Sequence, residues 1–493
     1  MSNERAQWDG NFAFLMAMIG SAVGLGNIWR FPYIFYTNGS GSFMIPYIIA
    51  IVVLGLSFLI LEYALGFKYK TSILNILRKV KDKFQILGWL VLCIIFLICS
   101  YYVCIVGWDL IYLVLSFVKG WGADPNAFFS NSVLQSSDLT SSMLSVVPVV
   151  LVSTFVVWLT TWYISHRDLN DGVSKFSKIA VPLLGILDVV IVVFALTLPG
   201  AGVGLSQMFS PSWDALLDTN IWLAAFGQVM FSLSLGMAIA MTYASYLPKK
   251  ANLTKNIVTV ICANSGFEVF NAVGIFSILG FMAMTTALPF SEVITDGTGL
   301  AFIAFPEVFN LMGVGGNILG PIFFLCIFIA GLTSIIALVE PMSSSLSDKF
   351  GFSRQKSVTI VCGIGFLVSL LFTSQYGSTI LTIFDAFLNN CALVACIILE
   401  CLVFGWFFDM DSLKEIVNRN TLFKVGNWWK LLIKIILPII LFILLVSGIV
   451  STVLTGDTIT LIVEAILVVV LIVAPCVLYY LTKVFGVERR HAN

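Results

Sequence analysis

Residues 20–33 read GSAVGLGNIWRFPY, and they place Asn27, Arg30 and Ser21 inside a run otherwise apolar enough for lipid. Three glycines and Pro32 in fourteen positions break a helix, so backbone groups here lose their internal partners. Freed carbonyls are hard oxygen ligands that suit Na⁺. The N–H groups at the start of a resumed helix attract a carboxylate. A second such patch is FGQVMFSLSLGMA, residues 226–238, with Gln228, Ser232, Ser234 and Gly236. A third polar pair lies in CANSGFEVFNAVG, where Asn264 and Glu268 sit one helical turn apart on a shared face. Each has a plainer reading. Gly20-x-x-x-Gly24 is also a helix-packing motif, and Thr333-Ser334 can bond back to its own helix. Packing, however, needs neither the amide of Asn27 nor the charge of Arg30. GLGNIW lacks the third glycine and preceding strand of a dinucleotide fingerprint.

The elements that hold these residues follow from composition. Of 493 residues 59% are hydrophobic and 11% charged, with a mean hydropathy of +1.02. No soluble fold hides that much apolar surface, so the chain reads as an all-α polytopic membrane protein. Net charge is zero, which gives no reason to expect nucleic acid. The polar start MSNERAQWDGN resembles no signal peptide, and the first span is expected to direct insertion. The ten cysteines fall within apolar runs and read as small buried hydrophobes. With only His166 and His491, zinc chemistry and a Ser-His-Asp triad lack raw material, so an enzyme is not expected.

A ruler of about 20 apolar residues gives twelve spans, near 11–36, 41–67, 84–118, 143–164, 172–198, 220–246, 254–285, 315–347, 355–374, 378–407, 431–453 and 457–485. Lys and Arg cluster in alternate loops: 68–83, 167–178, 249–255, 349–356, 414–434, and Arg489 with Arg490. The opposite loops hold Lys119 against Asp124, Asp138, Asp214, Asp218, Glu292, Asp296 and Asp457. Both termini are therefore expected in the cytoplasm, which makes the Asn252 sequon a chance match. Of two long external segments, 119–142 and 286–314, the second carries GTGLAFIAFPEVF and predicts a lid. The stretch 408–430 is expected at the cytoplasmic interface. Interruptions in spans 1 and 6, about 210 residues apart, suggest that helices 1–5 (11–198) are repeated upside down by helices 6–10 (220–407). Helices 11–12 (431–485), an N-terminal latch (1–10) and a tail (486–493) complete the chain. Broken helices at matching positions of inverted halves point to a transporter binding site.

GSAVGLGNIWRFPY, the following NGSGSFMIPY, FSLSLG and AGLTS (330–334) together resemble the neurotransmitter:sodium symporters, most closely prokaryotic amino-acid members such as the bacterial leucine transporter. The resemblance runs over spans 1–8 and weakens through 9–12. It implies the family's 5+5 inverted repeat and sodium-coupled amino-acid symport across the plasma membrane by alternating access. It also implies two Na⁺ sites. One would use Ala22, Asn27, Ser232 and Asn264 with the substrate carboxylate. The other would use Gly20, Val23, Ala330, Thr333 and Ser334. Substrate would meet Ser21, Ala22, Leu25, Gly26, Tyr102, Phe231, Ser232, Ser234, Met237, Ser334 and Leu338. Gly24 stands where monoamine carriers place an Asp, which favours a substrate bearing its own carboxylate. Glu268, near Tyr47, Gln228 and Ser232, stands where chloride-dependent relatives have a serine. It implies chloride-independent transport, with proton antiport compatible.

Arg30 would gate the external side, but IFDAFLNNCALV has Leu388 where the family's acidic partner belongs, leaving Asn389, Gln228 or water. Arg5 and Trp8 resemble the inner latch, with Asp348 as Arg5's partner and Tyr246 in support. As a surface ion pair, Arg5–Asp348 would contribute about 0–1 kcal/mol. Glu62 resembles the acid that braces the two breaks. Partners expected are amino acid and membrane lipid, no nucleic acid, with a homodimer allowed. Proton-coupled transport and a non-transporting amino-acid sensor stay open as alternatives. An ion channel lacks its pore rings.

Overall fold

The computed structural model describes residues 5–136, 145–295 and 297–484. Asp138, Asp296, Arg489, Arg490, His491 and the tail expected over 486–493 lie outside the described residues. Among the described residues ten helices are long and apolar enough to cross a membrane. They are Gly41–Tyr69, Asp82–Ser116, Pro148–Ser165, Asn170–Leu196, Leu253–Thr286, Val314–Phe350, Arg354–Thr373, Gly377–Trp406, Asn427–Thr455 and Thr458–Lys483. The first expected span is a bent pair, Asn11–Ala22 and Gly26–Thr37, at 54° to each other, and as one span it raises the count to eleven. The sixth consists of two short helices, Thr219–Ser232 and Ile239–Ser245, neither long enough to qualify alone. Expected and observed ends agree within a few residues, the largest shift being at the fourth span, which begins at Pro148.

Burial separates centre from periphery. The most apolar stretches of Asp82–Ser116, Leu253–Thr286 and Val314–Phe350 are 72–78% buried, against 17% for Asn427–Thr455 and Thr458–Lys483. The last two therefore lie at the periphery and face outward with rows of exposed Ile, Leu and Val. Close approach at the centre depends on small residues. A Cβ on Gly66 would lie 1.9 Å from the Met241 carbonyl oxygen, so the inner half of the sixth span rests directly on backbone of the second.

The 286–314 segment is not a bare loop. It contains the helix Gly297–Leu311, whose Phe302 packs among Trp29, Trp108, Tyr112 and Phe129 at centroid distances of 5.1–6.2 Å. The interfacial expectation for 408–430 needs correction at its end. Trp429 is fully buried, and its indole donates to the Ser57 carbonyl at 2.9 Å. Asn252 caps Leu253–Thr286 by accepting from the Lys255 N–H at 2.9 Å. The cysteines carry no disulfide among the described residues, and one expectation fails: Cys262 is exposed on the outer face of its helix.

Candidate functional site

At the first break, Val23 leaves the helix with extended backbone (φ −76°, ψ 103°). The Gly24 N–H then turns to Asn27 Oδ1 at 3.0 Å, and the Leu25 N–H to the Tyr102 hydroxyl at 3.3 Å. The carbonyls of Gly20 and Ser21 thus lose their usual partners four residues on. At the second break, Ser234, Gly236 and Ala238 have φ of +51°, +70° and +56°. Two non-glycine residues in left-handed backbone over five positions are strain held by surrounding structure.

The two breaks touch. Ser234 Oγ donates to the Ser21 carbonyl at 3.1 Å. Gly26 lies under the Phe231 ring, where a Cβ would come within 2.4 Å of Phe231 Cε1. An amide chain ties both to the seventh span. Asn27 Nδ2 donates to Asn264 Oδ1 at 2.8 Å, and Asn264 Nδ2 to Ser232 Oγ at 3.2 Å. Ser232 borders Glu268, which also accepts from Tyr47 Oη and, at 2.7 Å, from Gln228 Nε2. All three expected neighbours of Glu268 therefore surround it, and its carboxyl is fully buried.

The second expected group also converges. A Cβ on Gly20 would lie 3.2 Å from Thr333 Cβ, and one on Gly24 2.9 Å from Ser334 Oγ. Thr333 and Ser334 donate to the Ala330 carbonyl at 2.9 and 3.1 Å, which is the back-bonding their types allow. A hydroxyl that gives its proton to backbone keeps its oxygen lone pairs for a cation, so the donor set fits Na⁺: neutral hydroxyls, amides and carbonyls. Leu338 follows Ser334 by one turn, and Met237 lies buried in the second break.

Glu62 is fully buried beside the N–H groups of Gly236 and Ala238, with Glu400 near it, and without a hydrogen bond of ordinary geometry to either amide. Arg30 makes no ion pair among the described residues and lies 4.9 Å from the Phe231 centroid. Leu388 is buried and apolar. The acid nearest to it on this helix is Asp385, one turn earlier, which accepts from Tyr101 Oη at 2.6 Å and Asn389 Nδ2 at 2.9 Å. Asp385 and Glu268 are the acids whose charges reach Arg30. A cavity of about 570 Å³ opens here, with Arg30, Phe231, Asn389, Asp457 and Glu464 among its lining.

The end of the molecule that carries Arg5 is closed. Arg5 Nη1 bridges both Asp348 oxygens at 3.1 and 2.9 Å, while its other nitrogens reach Ser344 and Ser245 at 2.9 and 2.8 Å. Asp348 also accepts from Thr71 and the Ser72 N–H. The surface-pair expectation is thereby corrected: the side chains are 16% and 21% exposed, and the pair belongs to a network worth more than an exposed bridge. Trp8 is buried, its indole donating to the Tyr243 carbonyl at 2.9 Å. Asp9 follows, held below the usual carboxylate range by the Lys178 ammonium bonded to it.

Sequence reasoning missed a second inner pair. Arg354 binds Glu340 through two parallel bonds of 2.6 and 2.7 Å, and Tyr246 Oη donates to the same acid at 2.9 Å. Its signal was Glu340 in AGLTSIIALVEPM, an acid inside an apolar span. Glu340 is fully buried, so Arg354→Met is expected to cost about 3–5 kcal/mol by stranding a charge. Replacing both residues with apolar ones should recover much of that loss. Thermal unfolding midpoints of the three variants in detergent check this.

The sequence profile described as "Sodium:neurotransmitter symporter family" matches residues 5–138 and 121–481. The chain belongs to that family. It is 41% identical over 438 residues to an uncharacterised sodium-dependent transporter of Methanocaldococcus jannaschii, covering 89% of each chain. It is 28% identical over 479 residues to the human sodium- and chloride-dependent taurine transporter, covering 89% of this chain and 77% of that one. Its fold is similar to that of MhsT solved in complex with L-phenylalanine, with a TM-score of 0.76, 27% identity, and 90% and 100% coverage. As a symporter-family chain it is a secondary transporter rather than an enzyme, and family membership implies use of Na⁺.

Proposed function

We propose that this family member carries an amino acid inward with Na⁺ by alternating access, independently of chloride. The observation that carries the reading is the meeting of two broken helices around neutral oxygen donors, with Gly24 where an amine-pairing acid would stand. In this reading Ala22, Asn27, Ser232 and Asn264 hold one Na⁺ with the substrate carboxylate. Gly20, Val23, Ala330, Thr333 and Ser334 hold the second. The Leu25 and Gly26 amides and Tyr102 receive the carboxylate. Ser21, Ala22, Phe231, Ser232 and Ser234 receive the amine. Phe231, Met237, Ser334 and Leu338 enclose the side chain.

In the same reading the chain crosses the plasma membrane twelve times in a 5+5 inverted repeat, counting each broken helix as one crossing, with both termini in the cytoplasm and a homodimer allowed. Arg5–Asp348 and Trp8 are the inner latch, Glu62 braces the breaks, and Arg30 works over Phe231 at the outer gate. Glu268 supplies the negative charge that chloride gives elsewhere. Proton coupling through Glu268 is the second reading, favoured by that acid's burial at the end of the amide chain. A screen of the twenty amino acids by thermal shift, in NaCl and in choline chloride, tests the proposal. Stabilisation by one or a few amino acids only in NaCl supports it. Equal stabilisation in choline contradicts it.

A further inference from the structure

One lysine stands inside a peripheral span. Lys434 lies two turns into Asn427–Thr455, one of the two spans whose most apolar stretch is only 17% buried. A cation at such a position needs a counter-charge or a route to the membrane surface. Among the described residues Lys434 makes no ion pair, and its ammonium lies 5.4 Å from the Trp406 centroid. Its stem is held against Gly405, where a Cβ would come within 3.2 Å of Lys434 Cγ.

Contacts around Lys434 join the ends of four spans into one corner. Trp406 Nε1, at the end of Gly377–Trp406, donates to the Lys434 carbonyl at 3.1 Å. The next residue, Phe407, packs on Phe84 at the start of Asp82–Ser116, at 5.3 Å. Tyr479, near the end of Thr458–Lys483, donates its hydroxyl to Asp82 at 2.5 Å. The corner lies at the end of the molecule that carries Arg5, because Gln85 accepts from Lys349 at 2.7 Å beside Asp348.

Charge at this corner is unbalanced. Asp82 is already bonded to Tyr479 and, at 2.7 Å, to Gln85, with Arg78 and Lys483 each 3.9 Å away. Asp411 is taken by Lys430 and Lys414 at 2.5 and 3.1 Å. Lys81 and Lys83, which flank Asp82, are exposed and make no ion pair among the described residues. Three cations thus surround an apolar surface on which Trp406 is 58%, Phe407 66% and Tyr480 57% exposed. The rows of exposed Ile, Leu and Val on the last two spans continue from it. A soluble anion would satisfy the charges and leave the rings and aliphatic rows bare. A phospholipid covers both.

We propose that this corner is a binding site for an anionic phospholipid, with the phosphate on the Lys434 ammonium. Lys81 and Lys83 stand at the rim, and the acyl chains run along the exposed faces of the last two spans. The site is independent of which substrate or ion is carried.

Native mass spectrometry of the full-length protein, titrated with dioleoyl-phosphatidylglycerol or dioleoyl-phosphatidylcholine, tests it. The wild type is expected to bind the glycerol lipid at least about fivefold more tightly, the worth of one lysine beside an anionic head group. Lys434→Gln should lose about fivefold in affinity for that lipid and nothing for phosphatidylcholine. Lys434→Arg should retain binding. Lys250→Gln, which removes an exposed cation elsewhere at the same end, should change nothing. Should Lys434→Gln fold poorly, the surface double variant Lys81→Gln/Lys83→Gln provides the same test, with a loss of about 25-fold. Equal affinity for the two lipids, or equal losses in Lys434→Gln and Lys250→Gln, overturns the proposal. Displacement of the bound lipid by glycerol phosphate at equal concentration also overturns it, since the site would then select a soluble anion.

Discussion

Asn264→Ala is expected to abolish sodium-driven amino-acid accumulation while leaving a folded protein. Asn264 joins Asn27 on the first broken helix to Ser232 on the second, at 2.8 and 3.2 Å. Its loss removes one neutral oxygen donor from the proposed ion shell and leaves the Asn27 amide without its acceptor. A hydrogen-bond-type contact to a charged group is worth about 1.5–3 kcal/mol, or roughly 10- to 100-fold in apparent sodium affinity. Because the substrate carboxylate completes the same shell, amino-acid affinity should fall with it. Sodium titrations of amino-acid binding to wild type and variant check the magnitude. An unchanged sodium midpoint would remove Asn264 from the ion site. Asn264→Asp should behave differently, because an added carboxylate beside Glu268 brings two negative charges together.

The second large effect concerns Glu268. Glu268→Ser is expected to make transport depend on chloride, with uptake lost in gluconate and recovered as chloride is added. The carboxyl sits among Tyr47, Gln228 and Ser232, three donors that hold an anion equally well whether it is covalent or free. Removing it leaves a small polar cavity with its donors intact and the sodium uncompensated. Chloride restores both charge and hydrogen bonds. Uptake by the serine variant that is indifferent to chloride would show that Glu268 does not stand in for the anion.

Much of this arrangement was legible in the residue types because lipid makes polar residues costly. A glycine-bearing polar patch in an apolar span marks a break, and both breaks fall within a few residues of where GSAVGLGNIW and FSLSLG place them. Asn264 and Glu268 shared a face by helical spacing alone. Other features were hidden for physical reasons. Arg354 lies at a helix start, where a cation reads only as a mark of topology, and nothing in sequence said that its guanidinium turns inward to Glu340. Trp429 at the start of a span has the type of an interfacial anchor, yet its indole is spent on the Ser57 carbonyl. The left-handed backbone at Ser234 and Ala238 is carried by residues that do not favour it. Tertiary packing decides it. Around Arg30, resemblance directed attention to position 388, while the acid bonded there is Asp385, one turn earlier, with Tyr101 and Asn389 as its partners. Arg30 meets that cluster electrostatically and Phe231 by its face.

Uptake of the amino acid identified by the thermal-shift screen, into proteoliposomes holding potassium, tests the central claim most directly. Accumulation above the external concentration when Na⁺ is outside, and its collapse when Na⁺ is equal on both sides or replaced by choline, is the predicted result. Accumulation that follows an imposed proton gradient and ignores the sodium gradient would contradict it.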